Sequence, residues 1–222
     1  MLGSKTMIQR VYEQVSKVPG IDVVIATDDE RIANVARAFG ANVVMTSAQL
    51  QSGTDRCIEA YVTLSKDYDI LINVQGDEPF IEPAQIEQLV HVFAQQASCD
   101  IATLMVKLHD KAQADNPNVV KVVFAGQSGK ALYFSRALIP YVRDAAQAAM
   151  VQYYQHVGVY AFRTKVLPVI QQMQTGILEQ AESLEQLRWL EHGLSIYVSE
   201  TDKHSFGIDT PADLERAARL LD

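Results

Sequence analysis

Two adjacent carboxylates follow an apolar segment in residues 71–80, which read LINVQGDEPF. Asp77 and Glu78 come directly after Gly76, a residue that permits a tight turn or the close approach of a ligand. An aspartate at such a turn could hold Mg²⁺, which takes few protein carboxylates and shares the oxygens of substrate phosphates. Acids that follow a strand are, however, usually turn residues or N-caps of the next helix. Spacing alone therefore favours a structural role for either acid.

Two further motifs could act together with this turn. The segment SGTDR, residues 52–56, opens a predicted helix with small hydroxyl residues and an arginine. This pattern is typical of an ordinary N-cap, and it is also plausible for recognition of an anion or a base. In FGIDTPADLE, Asp209 precedes a Thr-Pro helix start, where either Asp209 or Thr210 could be the cap. Asp77 and Asp209 could share one metal ion if the fold brings their turns together.

The elements that must position these motifs alternate between strands and helices up to about residue 100. Parallel strands deliver functional residues at their carboxyl ends, so the turn at Asp77 is placed where ligands bind in open α/β sheets. Thr54 or Asp55 is the expected N-cap of the third helix. The alternation predicts a parallel sheet covered on both faces. The predicted helices lie at 5–18, 30–40, 54–64 and 83–93, and the predicted strands at 22–29, 42–46 and 70–74.

The pattern changes after about residue 100, where strands follow one another with few helices between them. These strands could extend the sheet in an antiparallel direction or form a small lobe. The chain then returns to helices, with one more strand before a capped final helix. The predicted strands lie at 100–108, 119–125, 130–136, 154–162 and 194–199, and the predicted helices at 163–173, 181–193 and 211–221.

Composition narrows the class of protein. The 222 residues suit one large α/β domain or two small ones. The formal net charge of −8 argues against a general nucleic-acid binder, which needs a basic face. Cys57 and Cys99 show no metal-binding spacing, which indicates reduced thiols in a cytosolic protein. No apolar run is long enough to cross a bilayer, so a location in the cytoplasm is expected.

Five motifs in a fixed order carry a resemblance to a known family. They are TSAQLQSGTDR, INVQGDEP, YYQHVGVYAFR, ESLEQLRWLEHG and GIDTPADLER. Together they resemble the CMP-Kdo synthetases, the 3-deoxy-manno-octulosonate (Kdo) cytidylyltransferases of lipopolysaccharide biosynthesis, over essentially the whole chain. The resemblance implies an α/β, Rossmann-like nucleotidyltransferase fold with a mostly parallel central sheet flanked by helices and a smaller antiparallel lobe. It also implies one nucleotidyltransferase domain over residues 1–222.

The resemblance implies a CTP-dependent enzyme that transfers CMP from CTP to Kdo and releases pyrophosphate. It further implies Mg²⁺ as cofactor and a homodimer that binds neither nucleic acid nor membrane. Two alternatives stay open: a cytidylyltransferase for another ulosonic acid, and a catalytically impaired fragment with only a binding or dimerisation role. A Rossmann-type dehydrogenase lacks support, because no G-x-G-x-x-G follows a predicted strand.

The same resemblance assigns roles to individual residues. Several of these residues have an ordinary structural alternative. His156 could be a strand histidine, Tyr160 a core residue and Glu185 a partner of Arg188, whereas Arg136 and Arg143 could be solvated side chains. The implied metal ligands are Asp77 and Asp209; the nucleotide residues are Ser52, Gly53, Thr54, Arg56 and Gln75; the sugar residues are Gln75, Arg136, Arg143, His156, Tyr160, Glu185 and Gln186.

The beginning of the chain departs from the family pattern. Family members begin with a buried strand and a basic Gly-rich loop that wraps the CTP phosphates. This sequence begins MLGSKTMIQR, which resembles the stretch that follows the loop. The expectation is that the strand and loop are missing, and that the chain as written turns over CTP poorly or not at all.

Overall fold

The computed structural model describes residues 1–203, 207–208 and 210–220. The described α-helices are α1 Met7–Val15, α2 Glu30–Ala38, α3 Gly53–Leu64, α4 Pro83–Gln95, α5 Lys111–Asp115, α6 Leu167–Ile170, α7 Ile177–Glu182, α8 Glu185–Glu191 and α9 Pro211–Arg219. Two short 3₁₀ helices lie at Ala145–Met150 and Thr164–Val166. The described strands are β1 Val24–Thr27, β2 Asn42–Met45, β3 Ile70–Asn73, β4 Ile101–Leu108, β5 Lys121–Ala125, β6 Lys130–Ser135, β7 Tyr153–Arg163 and β8 Ile196–Glu200.

The chain divides into two compact units. Unit 1 comprises Met1–Glu87 and His204–Asp222, and unit 2 comprises Gln88–Lys203. The prediction of a single domain over the whole chain stays a prediction. Among the described residues, no helix has the length and apolar character needed to cross a bilayer.

Unit 1 contains the strand–helix alternation that the sequence predicts. β1 and β2 pair in parallel, in a register that runs from Val24 opposite Asn42 to Thr27 opposite Met45. The helix α2 between them packs through Ala36, whose small side chain is fully buried next to Ile25 of β1. Parallel pairing requires such a crossover helix, which here covers the apolar face of both strands.

Unit 2 contains the predicted antiparallel strands. Its strand order is β7-β4-β8-β6-β5, with a further pairing between β7 and β5. β4 and β8 pair in parallel, whereas β4 with β7, β5 with β6 and β6 with β8 pair in antiparallel fashion. β4 is buried at seven of its eight residues and lies between β7 and β8. Its continuous apolar sequence is typical of such a central position.

Two local predictions about helices are wrong. Ser52, rather than Thr54 or Asp55, caps α3, and its hydroxyl accepts a hydrogen bond from the Asp55 amide at 3.1 Å. The helix predicted over 181–193 is interrupted, because Ser183 adopts a left-handed conformation with φ of 52° and ends α7 before α8 begins. At the last helix, Thr210 is the cap and forms a capping box with Asp213.

Candidate functional site

Gly53 brings two of the predicted nucleotide residues together in unit 1. It is the first residue of α3, and a Cβ atom built there would lie 3.3 Å from Gln75 Nε2 and 3.5 Å from Gln75 Oε1. The absent side chain therefore lets the Gln75 amide lie directly against the start of the helix. Sequence reasoning selected both residues but gave no reason for them to meet.

Gln75 is oriented by a residue that the sequence analysis missed. Its Nε2 donates to Oδ1 of Asn73 at 3.4 Å, and Asn73 is the buried last residue of β3. A buried polar side chain needs a hydrogen-bonding partner, so the pair is mutually stabilising. The available signal was the asparagine at the end of the otherwise apolar sequence ILIN.

Arg56 links the carboxyl ends of the two parallel strands of unit 1. Its Nη1 donates to Oγ1 of Thr46 at 2.6 Å, and its Nη2 lies 3.3 Å from Oδ2 of Asp28. Asp28 directly follows β1 and Thr46 directly follows β2. The amide of Thr46 also donates to the carbonyl of Thr27 at 2.9 Å. The sequence analysis predicted Arg56 but missed these two partners, whose signal was their position in the last residues of the strands predicted at 22–29 and 42–46.

The start of α3 already carries a negative charge. The carboxylate of Asp55 accepts a hydrogen bond from the Ser52 hydroxyl at 3.0 Å, while that hydroxyl accepts from the Asp55 amide. Thr54, the third residue with a predicted role in this segment, is buried. A carboxylate in the first turn offsets the positive end of the helix dipole, which makes this helix start less attractive to a phosphate.

Asp77 lies half-buried in the turn after β3, where the Glu78 amide donates to the Gln75 carbonyl at 3.2 Å. The backbone carbonyl of Asp77 accepts a hydrogen bond from the amide of Ile208 at 3.0 Å. Asp209 lies outside the described residues, so the predicted convergence of the two acids stays a prediction. Within the described ranges, no group of three or more His, Cys, Asp or Glu residues is placed to hold a metal ion.

A bulge in β7 brings two predicted sugar residues together in unit 2. Thr103 of β4 is opposite Tyr160, but the next residue, Leu104, is opposite Val157, so two residues of β7 are inserted at this point. The ring centroids of His156 and Tyr160 are 5.2 Å apart. In a regular strand, residues four positions apart are separated by about 13 Å. The two side chains share a face as predicted, and the bulge brings them into contact.

Both rings of this pair are neutral. Burial lowers the pKa of His156 to about 3, so the imidazole is uncharged near neutral pH. Burial, with a smaller contribution from the charge of Glu185, raises the pKa of the Tyr160 phenol well above its usual value. Phe134 and His156 pack in a T-shaped arrangement with a centroid distance of 5.0 Å. The pair can therefore exchange hydrogen bonds with a ligand but cannot supply a cation.

Glu185 and Gln186 form the first turn of α8. Oε1 of Glu185 lies 3.8 Å from Nη2 of Arg188, which makes shorter bonds of 2.6 and 2.7 Å to Glu179. The ion pair of Glu185 with Arg188 is thus the weaker of the two. Gln186 is buried, and no hydrogen bond links its side-chain amide to another described residue.

The two arginines predicted for the sugar site differ in their surroundings. The Nε of Arg136 donates to the carbonyl of Glu182 at 2.6 Å, and its guanidinium also reaches the carbonyls of Pro117 and Ser183. It therefore satisfies carbonyls at the end of α7, a structural task. Arg143 is exposed, and its side chain forms no hydrogen bond or ion pair with another described residue.

The family described as "Cytidylyltransferase" matches residues 1–200 of this chain.

Two curated relatives are similar over nearly the whole chain. The 3-deoxy-manno-octulosonate cytidylyltransferase of Parabacteroides distasonis is 48% identical over 227 residues, covering 99% of this chain and 89% of that protein. The protein of the same description from Bacteroides thetaiotaomicron is 47% identical over 227 residues, covering 100% of this chain and 90% of that protein.

A solved structure is similar in both sequence and fold. It is a CMP:2-keto-3-deoxy-manno-octonic acid synthetase complexed with CTP, with a TM-score of 0.92 and 41% sequence identity. The match covers 100% of this chain and 89% of that one.

Proposed function

Because this chain belongs to the cytidylyltransferase family, and within it to the 3-deoxy-manno-octulosonate cytidylyltransferases, we propose that it transfers CMP from CTP to Kdo and releases pyrophosphate. The anomeric oxygen of the sugar acid bonds to the α-phosphorus, and the bond from that phosphorus to the pyrophosphate oxygen breaks. The anomeric hydroxyl loses its proton, and pyrophosphate leaves with the bonding electron pair. Because both substrates are anions, the protein has to position them and offset their charge.

The main structural support for the proposal is a set of contacts that link the carboxyl ends of the strands in unit 1. Gly53 lies against Gln75, which connects the loop after β2 with the turn after β3. Arg56 connects the loop after β2 with the end of β1. Ligands of open α/β sheets bind at the carboxyl ends of the strands, and these contacts hold the carboxyl edge of the β1–β2 pair next to the turn after β3. This edge supports nucleotide binding.

The electrostatics of α3 favour a particular part of the nucleotide. Asp55 places a carboxylate at the start of the helix, where it would repel a phosphate. The Gln75 amide offers both a donor and an acceptor next to Gly53. The segment from Ser52 to Arg56 is therefore better suited to the cytosine or the ribose than to the triphosphate.

The proposal includes a bound Mg²⁺ ion, and the argument for it is the type of oxygen atom that Asp77 and Asp209 supply. The Asp77 carboxylate supplies the hard oxygen atoms that Mg²⁺ prefers, and Asp209 follows Ile208, whose amide bonds to the Asp77 carbonyl. Asp77 and Asp209 would hold the ion. When bound, Mg²⁺ would share phosphate oxygens and offset the charge of the triphosphate.

The predicted sugar residues in unit 2 offer a ligand surface of a different kind. Glu185 supplies a carboxylate that accepts from sugar hydroxyls, and Gln186 supplies an amide that can both donate and accept. The neutral rings of His156 and Tyr160 add hydrogen bonds without charge. For the sugar carboxylate, exposed Arg143 is the better candidate, because the guanidinium of Arg136 is already bonded to backbone carbonyls.

Release of pyrophosphate tests the proposed function directly. The protein is mixed with CTP, Mg²⁺ and either Kdo or a nine-carbon ulosonic acid such as a sialic acid. In contrast to the poor turnover expected from the beginning of the sequence, family membership predicts pyrophosphate and CMP-Kdo with Kdo, little product with the nine-carbon acid, and no product when EDTA removes the metal. Product from the nine-carbon acid alone would remove Kdo as the substrate, and no product from either acid would contradict cytidylyl transfer by this chain.

Three wider parts of the proposal do not depend on the site residues. They are a homodimer, a role in lipopolysaccharide biosynthesis and a location in the cytoplasm. Analytical ultracentrifugation of the purified chain tests the first of these, and a sedimentation coefficient that corresponds to the 24.6 kDa chain at all concentrations would contradict it.

A further inference from the structure

The hydroxyl of Thr103 lies at the centre of the bulged segment of unit 2. Thr103 is fully buried in β4, and its Oγ1 is 2.7 Å from the Val159 carbonyl oxygen and 3.1 Å from the Val157 carbonyl oxygen. The same Oγ1 is 3.0 Å from Nε2 of His156. One hydroxyl thus contacts two backbone oxygens of β7 and the imidazole that this strand carries.

The hydrogen-bonding capacity of these groups settles the direction of each bond. A threonine hydroxyl has one proton and two lone pairs, and a carbonyl oxygen can only accept. If the proton pointed to Nε2, the hydroxyl and the Val159 carbonyl would be two oxygens 2.7 Å apart with no proton between them. The proton therefore points to the carbonyl. Nε2 of His156 must then be the donor in its bond to Thr103.

The tautomer of His156 follows from its charge. Burial lowers the pKa of this ring to about 3, so near neutral pH the imidazole carries a single N–H. That N–H is at Nε2, which leaves a lone pair on Nδ1. No hydrogen bond joins Nδ1 to any residue in the part of the chain that the structure describes.

We propose that Thr103 is a positioning residue that fixes His156 in the Nε2–H tautomer, so that Nδ1 accepts a hydrogen bond from a hydroxyl of the sugar acid. The inference rests on the proposed function, because that function identifies the ligand. In this role His156 does not bind the sugar carboxylate, because the lone pair on Nδ1 repels an anion. The rings of Phe134 and Tyr160 both contact the His156 ring and help to hold it in this orientation.

The tautomer is tested first in the free protein, without substrate or turnover. In ¹⁵N-histidine-labelled protein at neutral pH, we expect His156 to show a protonated Nε2 and an unprotonated Nδ1. In Thr103→Val, which keeps the shape of the side chain and removes the hydroxyl, we expect a mixture of tautomers. Thr103→Ser, which keeps the hydroxyl, should restore the Nε2–H form. A protonated Nδ1 or a charged ring in the unmodified protein would overturn the proposal.

Kinetics test the consequence for the sugar. In Thr103→Val we expect the KM for Kdo to rise about threefold to tenfold, the scale of one hydrogen bond, while the KM for CTP changes little. Thr103→Ser should recover most of this loss. An unchanged KM for Kdo in a folded Thr103→Val protein would contradict the proposal. Circular dichroism checks folding, and if Thr103→Val fails to fold, the spectrum of the unmodified protein still decides the tautomer.

Failure of the inference and failure of the proposed function are distinguishable. Absence of turnover with Kdo in the unmodified protein would contradict the proposed function and with it the identity of the ligand. The spectrum of His156 would still decide whether Thr103 fixes the tautomer. Turnover with Kdo together with the wrong tautomer would overturn the inference alone.

Discussion

The candidate residues of unit 1 and those of unit 2 depend on different physical interactions. In unit 1, Arg56 pairs with Asp28, and Asp77 lies half-buried in a turn, so charged side chains lie at the strand ends. In unit 2, burial keeps His156 and Tyr160 uncharged within an aromatic cluster. A nucleoside triphosphate carries a high negative charge, whereas most of a sugar acid is neutral hydroxyl surface. Under the proposed function, the metal ligands of unit 1 act through charge, whereas the neutral rings of unit 2 act through hydrogen-bond geometry.

The largest expected effect tests the negative charge of the Asp77 carboxylate in unit 1. Asp77→Asn removes a carboxylate but keeps the backbone carbonyl that accepts from Ile208. Because a bound metal ion contributes several kcal/mol of charge stabilisation, we expect kcat/KM to fall at least about a hundredfold, measured by pyrophosphate release. The matched control is Asp67→Asn, at an exposed acid of the same unit, which should retain activity. Comparable activity in the two variants would refute a metal role for Asp77.

The next effect compares Arg136 and Arg143, the two arginines that the sequence analysis predicted for the sugar site. Arg136→Gln removes a guanidinium that bonds to the carbonyls of Glu182 and Pro117, so the free energy of unfolding should fall by about 2 kcal/mol in urea denaturation. Arg143→Gln should change stability by less than about 0.5 kcal/mol, because its side chain is exposed. In turnover assays, Arg143→Gln should raise the KM for Kdo. Equal stability of the two variants would show that the carbonyl contacts of Arg136 contribute nothing.

Sequence rules predicted the part of the molecule that depends on local pattern. The alternation in unit 1 predicted β1, α2 and β2 and placed Asp77 in a turn after β3, because strand ends and helix periods are local properties. The bulge in β7 was not predictable, since it is a difference in register between two strands that are about 50 residues apart in sequence. Thr103 was missed for the same reason. Nothing in its own neighbourhood marks it as the partner of His156.

Other misses have equally specific causes. The cap of α3 was placed at Thr54 or Asp55 because all three of Ser52, Thr54 and Asp55 are good capping residues, and only the backbone geometry distinguishes them. The interruption at Ser183 was missed because serine rarely adopts a positive φ. Tertiary contacts support this conformation, since Arg136 donates to the carbonyls on both sides of the break.

The pH dependence of stability tests the claim that His156, one of the predicted sugar residues, is buried and neutral. Burial lowers the pKa of His156 to about 3 in the folded protein, whereas an exposed histidine titrates near 6.5. Between these two pKa values the unfolded state binds more protons than the folded state, so the free energy of unfolding falls as the pH falls. Above about pH 6.5, His156 is neutral in both states and does not lower the stability.

We expect His156 to contribute about 1.4 kcal/mol of lost stability per pH unit within that window. The measurement is urea denaturation at several pH values, and His156→Gln should show a shallower dependence than the unmodified protein. His91→Gln, at an exposed histidine of α4, should keep the original dependence. Identical slopes for His156→Gln and the unmodified protein would mean that His156 is accessible to protons in the folded state.

The smallest expected effect tests the contact between Gly53 and Gln75 in unit 1. In Gly53→Ala, the new Cβ would lie 3.3 Å from Gln75 Nε2, closer than an ordinary contact, and the flexible Gln75 side chain can move by a few tenths of an ångström. Because the movement changes the orientation of the amide while the helix start tolerates alanine, we expect the KM for CTP to rise about threefold with little loss of stability. Gly126→Ala, whose Cβ would meet no atom within 4 Å, is the matched control. If Gly53→Ala instead raised only the KM for Kdo, the Gln75 amide would contact the sugar acid rather than the nucleotide, and a residue of unit 1 would then take part in binding the sugar.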